Sequence, residues 1–398
     1  MAQRWLRTPL RCPSVSIPEL LEGKRVCVCG GAGGVGKTTT SAAVALGMAA
    51  RGARVAVVTI DPARRLANAL GLQELENEPR RVDPSRLGSG GEAFSGELWA
   101  MMLDPKRTFD ELIERVADDP ERAAEIKRNR VYQQLSTAVS GSQEFTAVAK
   151  LYELEAAGNF DLLVLDTPPS RNALDFLEAP GRLTSFLEGR ALRTLVRPTG
   201  IGMRVLGRGA SPLLGALRRI TGVDLLSDLS TFFGLLGGMT EEFSARAGQV
   251  ERMLRAPTTT FLLVTAAHAP AIDEAIWFRR TLEAGGMPFG GVIINRFHHD
   301  MLGDADAGDV AGRLADRLPA GLAGRVAANF DDYHLLARRD RRNLARLTAE
   351  FGGHDQFDPI LVPHLDGDVH DIAGLERIRR FLFASDDDRE QLIERVVA

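Results

Sequence analysis

Gly30-Gly31-Ala32-Gly33-Gly34-Val35-Gly36-Lys37-Thr38-Thr39-Thr40 follows the short apolar run Val26 to Cys29 and leads straight into an Ala-rich stretch that reads as a helix from Thr38 to Ala50. Strand, glycine loop and helix in that order are the context a phosphate-binding loop requires. Glycines let the backbone turn tightly enough for successive N–H groups to face one concavity, and the helix brings the positive end of its dipole to the same place. A polyphosphate fits such a cradle. Lys37 is expected to reach the β- and γ-phosphates, and the Thr38 hydroxyl to bind the Mg²⁺ that bridges them.

Outward from the loop, apolar β-branched runs alternate with helical patterns, the signature of a doubly wound, mainly parallel α/β sheet whose central strands are buried on both faces. The expected strands are Arg25 to Cys29, Arg54 to Ile60, Leu98 to Leu103, Asp161 to Asp166, Thr259 to Thr265, Gly291 to Asn295 and Pro359 to Val362. Helical patterns cover Thr38 to Ala50, Ser142 to Glu155 and Ala271 to Glu283. Two spacers, about 105–158 and 180–257, are too long for simple crossovers and are expected to carry extra helices. The expected organisation is a loose tail over 1–20 and a single domain over 21–398 with those two helical insertions.

Composition sets bounds on partners and compartment. A chain of 398 residues can bury a large core, and its formal charge of −4 carries no polyanion signature, so no nucleic-acid partner is expected. Three cysteines, Cys12, Cys27 and Cys29, cannot build a disulfide framework, and the pair on the first strand reads as small buried apolar residues. Arg4, Arg7 and Arg11 near the start are not followed by a sustained apolar stretch, which argues against a secretory signal. No uncharged apolar run reaches the length of a membrane span. Cytoplasm is the expected compartment, with a peripheral position at a membrane as the variant.

Two acids add chemistry to the loop. Thr59-Ile60-Asp61-Pro62-Ala63 ends the second strand, and Asp161-Leu162-Leu163-Val164-Leu165-Asp166-Thr167-Pro168-Pro169 is an apolar strand that ends in a carboxylate. Both acids are expected at the carboxyl edge of a parallel sheet, where open α/β folds bind ligands. An acid placed like Asp166 holds the magnesium shell in nucleotide hydrolases, usually through water.

The loop Gly33-Gly34-Val35-Gly36-Lys37-Thr38-Thr39, Asp61-Pro62-Ala63, Asp166-Thr167-Pro168-Pro169 followed by Asn172 to Leu177, Val292-Ile293-Ile294-Asn295, and Val362-Pro363-His364-Leu365 followed by Leu375 together resemble the arsenite-pump and tail-anchored-protein-targeting ATPase family. The resemblance runs from Val26 to about Leu382. It implies that Gly33, Gly34, Val35, Gly36, Lys37, Thr38 and Thr39 hold the phosphates of ATP, and that Thr38 and Asp166 serve Mg²⁺. It further implies that Asp61 orients the attacking water, Asn295 contacts adenine and Pro363 lines the base pocket. Such proteins work as nucleotide-sandwich dimers or tandem halves that close on ATP and reopen after hydrolysis.

The departure from the family pattern is Ala32, which stands where a signature lysine crosses to the partner's nucleotide. Loss of a cation that stabilises charge on the transferred phosphoryl lowers the rate by orders of magnitude while leaving binding intact. Three explanations stand open: a lysine-bearing homologous partner, substitution by Arg171, or a slow nucleotide-gated switch. The cycle is expected to act on the long insert, where seven arginines and no acid lie between Glu188 and Asp224, interleaved with apolar residues. Such a segment suits a groove for an apolar helix client, a membrane receptor or an anionic lipid surface. The bland alternative is an apolar side packed on its neighbours behind a solvated arginine rim.

An arsenite-type pump is a weaker reading, since a soft metalloid needs thiolates. No Cys-x-x-Cys pair is present for the structural zinc of some relatives, and an iron–sulfur carrier lacks its ligands. His298-His299-Asp300 reads as an exposed polar loop. The expectation is therefore an ATP-hydrolysing homodimer, or one half of a heterodimer in which the homologue does most of the hydrolysis.

Overall fold

Val26–Gly30 forms β1, buried along its whole length near the middle of an eight-stranded sheet. The computed structural model describes residues 16–61, 63–83, 85, 94–117, 119–130, 132, 133, 142–167, 231, 235, 239–300, 307–315, 317–352 and 358–397. The other strands are Arg54–Thr59 (β2), Arg80–Arg81 (β3), Glu97–Met102 (β4), Leu162–Asp166 (β5), Thr259–Ala266 (β6), Phe289–Phe297 (β7) and Ile360–Pro363 (β8). Their order is β3-β4-β2-β5-β1-β6-β7-β8, parallel throughout except for β3 against β4. This is the expected α/β sheet. The unforeseen strand, β3, is two exposed arginines with no apolar signal to read.

Helices cover both faces. They are Ile17–Leu20 (α1), Lys37–Ala50 (α2), Arg65–Ala69 (α3), Pro105–Val116 (α4), Pro120–Arg128 (α5), Ser142–Ala157 (α6), Thr240–Arg255 (α7), Ala269–Ala284 (α8), Ala307–Ala315 (α9), Ala320–Glu350 (α10), Ile372–Phe383 (α11) and Asp386–Val397 (α12). Strand alternation splits the core in two. Val26, Val28, Ala56 and Val58 pack with residues of α6, α7, α8 and α10, while Cys27, Cys29, Val55 and Val57 pack with α2 and α11. Each fully buried Val or Leu in these layers contributes about 1.5–3 kcal/mol, so the strand ends that carry the site rest on the least yielding part of the molecule. Cys27 and Cys29 are small buried fillers with free thiols.

Ser16 N–H donates to Glu19 Oε2 at 2.9 Å at the start of α1, and Ile17 is buried in the second core, so residues 16–20 are packed against the domain. The insertion over 105–158 carries α4, α5 and α6, and α7 ends the other. The arginine-rich stretch between Glu188 and Asp224, Arg171, and Asn172 to Leu177 lie outside the described residues.

Register levels the functional edge. Cys29 and Thr59 are both opposite Asp166, so β1, β2 and β5 end together. Beyond β6, Ala266 is opposite Asn295 and Phe297 opposite Pro363. All the sequence motifs that fall within the described residues therefore converge on one carboxyl edge of the sheet. Among the described residues, no helix is long and apolar enough to cross a membrane.

Candidate functional site

The loop after β1 is held by two close approaches that only glycine allows. A side chain at Gly31 would collide with the carbonyl oxygen of Val264, and one at Gly36 with the side-chain amide of Asn295. Both also have positive φ, +148° and +90°. Asn295, at the end of β7, donates Nδ2–H to the Val35 carbonyl at 2.9 Å and accepts the Arg296 N–H at Oδ1 at 3.0 Å. One amide hydrogen and one lone pair of Asn295 are left for a ligand. Arg296 has φ +58°, a left-handed conformation that costs about 1 kcal/mol or more in a non-glycine residue and marks ligand sites when the surroundings enforce it.

Gly36 caps α2, so Lys37 opens the helix and its side chain is buried with Nζ donating to the Ala32 carbonyl at 2.7 Å. Burial pushes the Lys37 pKa down, and the charges of Asp166, Glu274 and Asp61 pull it back up. Gly33 and Gly34 are exposed, while Thr38 and Thr39 are half-buried.

Asp166 is 1% exposed. Its Oδ2 accepts hydroxyls from Thr38 at 2.7 Å and Thr59 at 2.8 Å, and its Oδ1 has no hydrogen-bond partner. Burial raises its pKa to about 6, against the pull of Thr38, Thr59 and Lys37. A buried carboxylate oxygen without a donor, beside a threonine hydroxyl, fits the hard oxygen set that Mg²⁺ takes.

Asp61 is tied to the same group through Thr59. Its N–H donates to Thr59 Oγ1 at 3.1 Å, its Oδ1 accepts Ala63 N–H at 2.9 Å, and its Oδ2 pairs with Arg65 at 3.2 Å. Thr59 and Arg65 were not singled out in the sequence. The signal for Thr59 was available, a hydroxyl at a strand end two residues before the acid.

Gly36, Thr39, Asn295, Arg296, Pro363 and His364 line a cavity of about 410 Å³ that runs from the start of α2 to the end of β8. The structure thus brings Asn295 and Pro363 to the glycine loop. Residues 298–300 are not a merely solvated loop: His298 Nδ1 bonds Asp340 Oδ2 at 2.7 Å, and Asp300 bonds His334 at 2.8 Å and Arg341 at 3.1 Å. Ala32 is buried in a small apolar cluster with Val35, Val264, Ala266 and Ala271.

Residues 24–334 match the anion-transporting ATPase family. The chain belongs to that family. Over 308 residues it is 24% identical to the ATPase get3 of Schizosaccharomyces japonicus, covering 77% of this chain and 84% of that protein. It is 32% identical over 154 residues to the ATPase get3 of Aspergillus terreus, 38% of this chain and 42% of that one. For the ATPase GET3 of Malassezia globosa the figures are 33% over 159 residues, 40% and 43%. These two higher-identity matches each span less than half of the relative. The family match contains the loop, Asp61, Asp166 and Asn295, whereas Pro363 and His364 fall beyond it.

Proposed function

We propose that this anion-transporting ATPase relative binds ATP with Mg²⁺ in the loop and cavity and hydrolyses it, the nucleotide state setting the closure of a dimer. The observation that carries the reading is Asp166, a buried carboxylate with a donor-free Oδ1, bonded to Thr38 on the first turn of the loop helix. In this reading the loop amides and Lys37 bind the β- and γ-phosphates, Lys37 exchanging the Ala32 carbonyl for a phosphate oxygen. Thr38 and Asp166 would hold Mg²⁺, which would supply positive charge to neutralise the phosphates. Asp61 orients and deprotonates the attacking water after its Oδ2 leaves Arg65. Asn295 and Pro363 hold the base.

Ala32 favours a second reading of the rate. With an apolar residue buried where the resemblance expects a cation, the chain alone turns over slowly, and a lysine-bearing homologue in a heterodimer supplies the missing charge. The reading extends to the targeting role that the family resemblance implies, in which closure controls a helical surface for an apolar client helix or a membrane receptor, carried by the single 21–398 domain and its insertions, in the cytoplasm or at a membrane surface. A metalloid pump is disfavoured because Cys27 and Cys29 are sealed in the core.

Phosphate release from ATP, measured for the purified chain over a range of protein concentrations with and without Mg²⁺, tests the reading. Slow, Mg²⁺-dependent turnover that rises per chain with concentration supports it. Turnover independent of Mg²⁺ contradicts it.

A further inference from the structure

His364 lies in the wall of the cavity, one residue past Pro363, and its ring is exposed there. It is not a loose surface histidine. Its ring stacks on His298 with centroids 5.0 Å apart and planes 20° from parallel. His298 in turn is half-buried and crossed edge-on by Tyr333 at 5.2 Å.

Behind His298 stands Asp340 of α10, 1% exposed. One of its oxygens, Oδ2, takes both the backbone N–H of His298 at 3.1 Å and the ring Nδ1 at 2.7 Å, which fixes the ring's rotation as well as its place. The other oxygen accepts Nε and Nη2 of Arg339 at 3.0 and 2.8 Å. A buried acid with both oxygens committed therefore holds one imidazole rigid, and that imidazole backs a second one in the cavity wall.

An aromatic ring already stacked on one face and held in a pocket wall is built to receive another flat π system. The same cavity begins at Gly36 and Thr39, so a nucleotide whose phosphates occupy the loop would bring its base to this wall. We propose that His364 is a base-stacking residue of this site and that His298 and Asp340 are its positioning residues, so that the pocket prefers a nucleotide with a large flat base, a purine, over the bare polyphosphate. This rests on the phosphate-loop reading given above.

The test separates the base from the phosphates. Calorimetric titration with a non-hydrolysable ATP analogue and with tripolyphosphate, both with Mg²⁺, is run on the full chain and on His364→Ala, His364→Phe, His298→Ala and His298→Phe. His364→Ala is expected to weaken the ATP analogue by about 5- to 100-fold while changing tripolyphosphate less than about twofold, as loss of one base–aromatic stack requires. His364→Phe keeps the affinity. His298→Ala shows part of the same base-selective loss, and His298→Phe, which keeps a ring to stack but loses its bond to Asp340, shows a smaller one, which a role in folding alone would not produce. Unchanged affinity of His364→Ala for the ATP analogue overturns the proposal, and so does an equal loss for both ligands. A wild-type chain that binds neither ligand overturns the phosphate-loop reading itself.

Discussion

Thr38, on the first turn of α2, donates its hydroxyl to Asp166 at the end of β5 at 2.7 Å, across 128 positions of sequence. The bond joins the loop helix to the neighbouring strand at the point where a carboxylate is buried against its ordinary tendency to stay hydrated. Asp166 holds its proton up to about 6, while in the unfolded chain it releases it near 3.8. The stabilisation from that proton is fully present below about 3.8 and is lost as pH rises through about 6.

Asp166→Asn keeps the shape and removes the titration. In the nucleotide-free protein, wild type should lose about 2 kcal/mol of stability relative to this variant between pH 4 and 7. Urea denaturation at several pH values measures the difference. Mg²⁺ with a non-hydrolysable ATP analogue should raise the melting temperature of wild type at pH 7 more than that of the variant. A difference between the two proteins that does not vary with pH would mean that burial does not raise the pKa of Asp166.

Asp61→Asn should leave nucleotide affinity near wild type and slow single-turnover hydrolysis by about 10²- to 10⁴-fold, the contribution of a positioned general base. Its stability should change little, since the amide still accepts the Ala63 N–H and the pair with the exposed Arg65 is worth at most about 1 kcal/mol. Unaltered hydrolysis would reduce Asp61 to a turn former.

Ala32→Lys tests the position where the family resemblance expects a cation. The Ala32 side chain sits among Val35, Val264, Ala266 and Ala271 at 7% exposure, so a lysine there must open the cluster or leave it. A loss of about 1–3 kcal/mol in urea denaturation is expected from overpacking. Unchanged stability would show that the longer side chain leaves the cluster freely and that position 32 is open to a neighbouring copy.

His299 acts in the opposite sense to Asp166. Burial, aided by the charges of Arg341 and His298, pushes its pKa down to about 4. The unfolded chain takes up this proton near 6.5, so stability is complete above that pH and is lost as pH falls toward 4. His299→Phe keeps a ring against Phe297 and should gain about 1–3 kcal/mol on wild type across that interval. A constant difference over the interval would place the His299 ring in water.

Much of this was legible because strand ends carry their chemistry in order. Loop, Asp61, Asp166, Asn295 and Pro363 each close an apolar run, and parallel pairing brings such ends to one edge. The 31-residue helix Ala320–Glu350 was harder to read. Its buried stripe runs through Ala337, Asp340, Leu344 and Leu347, so a charged residue sits where the periodicity needs an apolar one. Asp340 is there because His298 and Arg339 satisfy it, a long-range fact that local pattern does not carry. The same holds for residues 298–300, which look solvated until α10 supplies Asp340, His334 and Arg341. Thr59 was hidden for another reason: a strand-end threonine is ordinary until both acids bond it.

Whether the glycine loop and Lys37 bind the phosphates of ATP is decided by Lys37→Ala. The substitution removes a buried ammonium that, among the described residues, donates its hydrogen bond to the Ala32 carbonyl, a contact the fold can lose without unpairing a helix or a strand. Calorimetric titration with a non-hydrolysable ATP analogue and Mg²⁺ should show affinity lowered at least about tenfold, the worth of one charge-assisted hydrogen bond to phosphate. Equal affinity in the two proteins, with both folded, would mean that Lys37 does not face the phosphates and that the loop is not their site.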